Sequence, residues 1–395
     1  VISEWQIYNN HNEKYIFLLP MKIAINTRLL LKDKLEGIGW YTYEIVKRMT
    51  NQHPEHDFYF LFDRPFSSDF VFAKNVNPIV LAPPARHPLL WYFWFEFSVS
   101  KFLRKNNIDL FFSPEGYLSL KTDVKTVLTI HDLNFEYFPD QLPFLTRRYY
   151  QYFMPKFAHK ANTIITVSDA SKKDIVNKYG VDNSKVKTIY NGANRIYKPL
   201  EEKEKQEVKD KYANGKDYFY FVGSLHPRKN IINLMRGFNQ FCEQTTSYCK
   251  LLVIGEPMWK NEETKQVFKQ LQHKERILFL GRKEIEELSQ IAASALALTF
   301  VPHFEGFGIP LAEAMFCHRP IITSNTSCLP EIAGNTAIYA NPNDVNSIAD
   351  SMSEMHTNKE KREELIENCK IRKNKFCWDK AANEVWKILE KNLPC

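Results

Sequence analysis

The chain has 395 residues, 44% apolar and 25% charged, enough for two domains with their own cores and too apolar for extensive disorder. Its net charge of +7 is spread along the chain. That suits an anionic ligand or an acidic membrane surface, and without a zinc-finger or RRM signature it does not point to nucleic acid.

Cys242, Cys249, Cys317, Cys328, Cys369, Cys377 and Cys395 form no CxxC pair and no metal-ligand spacing, a pattern of reduced thiols that predicts a cytoplasmic protein. No apolar run reaches the roughly 18 to 20 residues that span a bilayer. Residues 1–20 are polar and aperiodic and read as a non-native or disordered extension, since a clean strand begins only after Met21.

From Met21 the pattern alternates. Strands are predicted at Lys22–Asn26, Phe58–Phe62, Ile79–Ala82, Leu110–Ser113, Val124–Ile130, Thr163–Val167 and Val186–Ile189, as short apolar runs suited to a sheet buried on both faces. Helices are predicted between them at Trp40–Met49, Leu89–Asn106, Leu142–Lys160 and Asp169–Lys178. The charged stretch Glu201–Lys211 reads as a linker or linker helix, and the alternation restarts at Tyr218–Val222, Lys250–Ile254, Ile277–Leu280, Ala297–Phe300 and Ile321–Ser324. The division is therefore 21–198 for a first Rossmann-like domain, 199–216 for a linker and 217–377 for a second such domain, with a closing amphipathic helix near 378–393. The fold class is α/β, two doubly wound sheets whose carboxyl ends face across a ligand-binding cleft.

Four segments carry candidate chemistry. The segment Val301–Met315, VPHFEGFGIPLAEAM, follows a buried strand and opens a helix. Gly306 and Gly308 let backbone amides approach phosphate, and the helix N-terminus favours its charge. Glu305 and Glu313 lie eight residues apart; with helical rise that is about 12 Å, the reach from a hexose across a diphosphate to a ribose. A lone Glu there would be a capping residue; the second Glu, the glycines and Pro310 weigh against that reading. In Phe221–Asn230, FVGSLHPRKN, Gly223 ends a strand and Arg228 and Lys229 place two cations at the next helix start, where they can stabilise a diphosphate leaving group. His131, in Thr129–Leu133, sits with Asp132 at the carboxyl end of a strand and faces the cleft. Gly37 and Gly39, in Glu36–Thr42, form a GxG loop too short for a dinucleotide fingerprint, and Arg28 before it is a candidate to reach the cleft.

These segments resemble family 4 retaining glycosyltransferases of GT-B architecture, over residues from about 21 to about 393. The Glu305-to-Glu313 segment resembles the family's E-x7-E signature, and Arg319–Gly334 continues the likeness. The resemblance implies catalytic roles for Glu305 and His131 beside the donor sugar, and for Arg228 and Lys229 on the diphosphate. It implies ribose contact for Glu313 and donor contacts for Gly37, Gly39, Gly223, Gly306, Phe307 and Gly308. Ser224 departs from the pattern, standing where many members place another Arg. Ser168 and the Asn191–Gly192 turn are read as structural. The C-terminal helix is expected to cross back onto the first domain.

The activity so implied is retaining transfer of a hexose to an acceptor hydroxyl. The donor is a nucleotide diphosphate sugar, GDP-mannose by resemblance, with UDP-sugars left open; the acceptor is a saccharide or lipid-linked saccharide of surface polysaccharide synthesis. No separate cofactor is expected, and no metal, since no D-x-D or His/Asp/Glu cluster occurs. Two alternatives remain at this point: a sugar-nucleotide epimerase of the same fold, and a non-catalytic nucleotide-sugar-binding subunit. Two aromatic-basic stretches, His87–Lys105 and Arg147–Phe153, are mostly core, with some side chains suited to the inner face of a membrane.

Overall fold

The computed structural model describes residues 20–32, 35–255 and 262–394. The extension expected at 1–20 lies outside them except for Pro20. The first sheet has seven parallel strands: β1 (Lys22–Asn26), β2 (Asp57–Phe62), β3 (Val76–Val80), β4 (Leu110–Ser113), β5 (Lys125–Thr129), β6 (Thr163–Thr166) and β7 (Val186–Thr188), in the order β3-β2-β1-β4-β5-β6-β7. The second has six: β8 (Tyr218–Val222), β9 (Lys250–Ile254), β10 (Ile277–Gly281), β11 (Ala297–Phe300), β12 (Ile321–Ser324) and β13 (Ala337–Ala340), in the order β10-β9-β8-β11-β12-β13.

Both are doubly wound α/β sheets. Their direction of winding reverses between β1 and β4 and again between β8 and β11, and crevices open at such reversals beyond the carboxyl ends of the strands. The central strands explain why the chain folds this way. Leu110–Ser113, Ala297–Phe300 and Ile321–Ser324 are buried at every position, which requires helices on both faces.

The charged stretch forms the helix Glu202–Ala213, opened by a reciprocal capping box between Glu201 and Glu204. It is more than the linker expected at 199–216. Val208, Tyr212 and Ala213 are buried, and the helix lies against Ile285–Ser294 of the second domain. The long aromatic stretch is a helical rod, Pro88–Phe93 and Ser100–Lys105 joined through a wide π turn at Trp94–Val99. The wide turn aims Glu96 inward, where its carboxylate accepts from the amides of Leu120 at 2.9 Å and Lys121 at 3.1 Å.

The closing helix, Trp378–Asn392, returns to the first domain and packs on Gly37–Gln52. Trp386 stacks on His53 with ring centres 3.7 Å apart, and Asp379 pairs with Arg48 at 2.6 Å. Gly192 makes the crossing possible, because a Cβ there would strike the backbone and ring of Trp378.

Candidate active site

His131, Arg228, Lys229 and Glu305 each sit in a loop that follows a strand of one sheet. Past β8 the chain turns through Pro227–Lys229 into Asn230, at φ 59°. Asn230 is buried, and its amide donates to the carbonyls of Val301 at 2.9 Å and Pro342 at 2.7 Å. That ties the Arg228–Lys229 turn to the loop after β11. There Arg228 Nη1 donates to Glu305 Oε1 at 2.8 Å and to the Phe304 carbonyl at 3.2 Å, and Lys229 Nζ pairs with the same carboxylate oxygen. Burial lowers the pKa of Lys229, and Glu305 works against that shift.

Glu305 is buried and firmly held. Its amide donates to Ser327 Oγ at 3.2 Å, and its carbonyl accepts from Ser327 Oγ and, at 3.1 Å, from Cys328 Sγ. One carboxylate therefore spaces two cations. Among the described residues Arg228 turns only Nη1 to Glu305 and Phe304, so Nε and Nη2 remain for an anion.

His131, past β5, comes to the same place from the other domain. Its Nε2 lies 2.8 Å from the Pro114 carbonyl. A carbonyl only accepts, so Nε2 carries the hydrogen. Desolvation lowers the ring's pKa. The neutral ring then presents Nδ1 as an acceptor. Tyr41 packs edge-on against it at 4.7 Å, which fixes its plane. Gly306 closes the junction: a Cβ there would lie 2.5 Å from the His131 carbonyl and 2.8 Å from Asp132 Cβ. Across the same seam Phe304 meets Tyr137, ring centres 4.8 Å apart.

Glu313 lies four residues into the helix Ile309–Phe316. The helix starts only at Ile309, so the rise assumed from Glu305 onward holds for half the segment. Burial raises the Glu313 pKa to about 7, and the nearby Tyr197 hydroxyl works against that shift. Gly308 takes φ 83° and caps this helix. Gly223 ends β8 at φ 151° and donates to Ile254 O at 3.0 Å. Gly39 is buried, its hypothetical Cβ 2.9 Å from Leu29 O, while Gly37 stands in open space beyond β1.

One expectation fails, and for another the structure places only the side chain. The Phe307 ring is buried against Phe376, 5.7 Å away, and Tyr190, 6.3 Å away, which leaves its backbone as the part that can face a donor. Arg28 does not reach the cleft. Its Nε and Nη2 grip Glu115 at 3.0 and 2.9 Å, Nη1 donates to Ala85 O at 2.8 Å, and Tyr117 lies under the guanidinium. Both side chains are spent on the fold. Sequence reasoning also missed three participants: Tyr197, the Tyr190–Glu331 pair, and the bond from Ser168 Oγ to Gly306 O at 2.7 Å. Ser168 does cap its helix, accepting from Ser171 N at 3.1 Å, as its position after β6 predicts.

The fold and this junction define a two-domain α/β protein with its candidate groups gathered between two switch points. The model of family 4 glycosyltransferases matches residues 35–195, and that of group 1 glycosyl transferases matches residues 202–372. The chain belongs to this family and is a glycosyltransferase of GT-B architecture. It is 26% identical over 375 residues to O-antigen chain mannosyltransferase B of Escherichia coli, covering 92% of this chain and 98% of that one. It is 28% identical over 263 residues to O-antigen chain mannosyltransferase RfbU of Salmonella typhimurium, covering 66% and 69%. The Anabaena protein HepE, solved in complex with UDP and glucose, superposes with a TM-score of 0.73 at 16% identity, over 94% of this chain and 100% of that one.

Among the described residues no helix is long and apolar enough to cross a membrane, and no cluster of His, Cys, Asp and Glu could hold a metal ion.

Proposed function

We propose that the chain moves a mannosyl group, with retention, from a nucleotide diphosphate sugar to a hydroxyl of a lipid-linked saccharide in surface polysaccharide assembly. The observation that carries this reading is the Glu305 carboxylate held between Arg228 and Lys229 and pressed, through Gly306, against His131. The bond that breaks joins the anomeric carbon to the diphosphate, and the bond that forms joins it to the acceptor oxygen. The two cations take the charge that develops on the leaving diphosphate. The acceptor proton passes to the leaving phosphate oxygen. Glu305 lies where the ring becomes positive, and neutral His131 offers Nδ1 to a sugar hydroxyl. Glu313 binds the ribose. The protein's own cations take the part that a divalent ion plays elsewhere, so no metal or other cofactor is required. The mannose assignment leans on the likeness to the two mannosyltransferases; GDP is the first choice of nucleotide from the sequence resemblance, with UDP-sugars kept in the comparison.

The reading also places the enzyme on the inner face of a membrane, through exposed side chains of the Pro88–Lys105 rod and the adjacent helix Phe144–Lys160. The test is release of nucleoside diphosphate from GDP- and UDP-sugars by purified protein, with the product's anomeric configuration read by NMR. GDP-mannose should be preferred, turnover should survive a chelator, and Arg228→Ala with Lys229→Ala should lower kcat/KM by at least about 10²-fold. Activity lost to the chelator and restored by manganese would overturn the role given to the cation pair.

A further inference from the structure

The two domains are joined beside the active site by a contact of a specific kind. Glu331 lies in the first turn of the short helix Leu329–Ala333 of the second domain. Its carboxylate reaches into the first domain, where Oε1 accepts from the amide of Asp169 at 2.7 Å and Oε2 from the amide of Ala170 at 2.9 Å. Those are the leading amides of the helix Asp169–Tyr179. Such N–H groups have no partner within their helix and carry its positive end, so a carboxylate there is bound by charge as well as by hydrogen bonds. The Tyr190 hydroxyl, also in the first domain, lies near the same carboxylate, whose charge adds to burial in raising the Tyr190 pKa.

The same helix end holds the active-site loop. Ser168 Oγ donates to Gly306 O at 2.7 Å, and Ser171 Oγ donates to His131 O at 3.1 Å. Glu331 and Gly306, from two loops of the second domain, thus meet one helix terminus of the first. The mount of Glu331 is rigid on its own side, for Arg372 donates from Nη2 to Glu331 O and from Nε to Ile332 O at 2.7 Å. The far side is prepared as well: Asp169, which would repel Glu331, has its carboxylate engaged by Thr188 Oγ1 at 2.6 Å. Asp169 is exposed, so water can reach this bond.

We infer that Glu331 is a positioning residue for transfer, a latch that stabilises the closed arrangement in which Gly306 seats on His131. Glu331 touches neither the sugar nor the diphosphate in the reading above. Its loss lowers the fraction of donor-bound enzyme that is closed, and kcat falls by that fraction, while nucleotide affinity of the second domain stays as it was. The kinetic part of this inference rests on the transferase reading; the conformational part does not.

The experiment uses full-length protein carrying Glu331→Ala or Glu331→Gln. Small-angle scattering without ligand should give a larger radius of gyration for the Ala variant than for the wild type, with Gln between them. The kcat of the Ala variant should fall about tenfold, the scale of a lost charge-assisted hydrogen bond, with the nucleoside diphosphate Kd unchanged. Gln should recover part of the kcat, since it keeps one acceptor. An unchanged radius in the Ala variant, or a nucleotide Kd that weakens in step with kcat, would overturn the latch. If Ala fails to fold, the Gln variant supports the same comparison. If wild-type protein turns over no nucleotide sugar, the transferase reading falls while the scattering still decides the latch.

Discussion

The backbone of Gly306 lies directly on the backbone of His131, with only 2.5 Å between the position a Cβ would take and the His131 carbonyl oxygen. That relationship sets the distance between two domains whose candidate catalytic groups belong to different sheets. A single methyl must therefore push the seam open, because the opposing atoms include main chain, which cannot rotate away. Gly306→Ala should leave nucleoside diphosphate binding intact and lower turnover by about 10²-fold, the cost of a small misplacement of reacting groups. Titration calorimetry and steady-state kinetics on one preparation separate the two. Full turnover in the variant would mean that this seam is not the catalytic arrangement.

The two glutamates should respond differently to the same substitution. In the proposed reaction Glu305 stands beside the sugar as positive charge grows on it, an interaction stronger in the transition state than in the bound donor, so Glu305→Gln should act on kcat. Glu313 is remote from that bond, and Glu313→Gln should mainly raise the donor KM. Steady-state kinetics of both folded variants test the assignment. A KM effect at Glu305 with lost turnover at Glu313 would reverse the roles.

Glu313 also makes a statement about pH. Burial raises its pKa from 4.5 to about 7, so the folded chain holds this proton more tightly than the unfolded chain does. The sign follows: the protonated carboxyl is compatible with burial at low pH, and stability is lost as pH climbs from about 4.5 through about 7. Glu313→Gln, neutral at every pH, should therefore raise the apparent melting temperature increasingly across that window and level off above it. Thermal unfolding from pH 4.5 to pH 8 measures this. A constant offset between the two proteins would show that Glu313 does not titrate in this range.

How much of this was visible in the sequence depends on how far apart the partners lie along the chain. Strand ends, glycine turns and the Arg228–Lys229 pair are local patterns, and each is found at the switch points where it was expected. Arg28 shows where local reading stops. Its partner Glu115 is 87 positions away, and nothing near Arg28 announces a buried carboxylate. Glu331 and Asp169 are 162 positions apart, and their contact exists only because two separately folded sheets meet. Phe307 shows a related division: its neighbours in sequence belong to a phosphate-type loop, while its ring belongs to the core. Strand β13, Ala337–Ala340, is short and half alanine, and the sequence reading passed over it.

The exposed aromatics of the first domain lead to the last prediction. Most of the aromatic stretch is core, as Trp94 and Phe95 show by complete burial. Leu89, Phe93 and Phe97 on the rod remain exposed, and so do Phe144, Leu145 and Tyr152 on the neighbouring helix. The two groups form one surface: Tyr92 contacts Phe97 at 6.0 Å and Phe153 at 5.9 Å, and Phe153 contacts Tyr152 at 4.9 Å. Cations rim it, with Lys121 3.8 Å over the Phe97 ring and Lys156 3.4 Å over Tyr152, and Lys101, Arg104, Lys105 and Arg148 are exposed nearby in sequence. Aromatic side chains favour the headgroup level of a bilayer, and each basic residue near an anionic surface adds about 1 kcal/mol. The protein should float with vesicles containing phosphatidylglycerol far better than with pure phosphatidylcholine, and salt should weaken the binding. Replacing Phe93, Phe97 and Phe144 together by Ser should abolish flotation while leaving transfer to a soluble acceptor unchanged, since none of the three lies at the junction of the domains. Equal binding to both kinds of vesicle, or undiminished binding by the triple variant, would remove this face from consideration as a membrane contact.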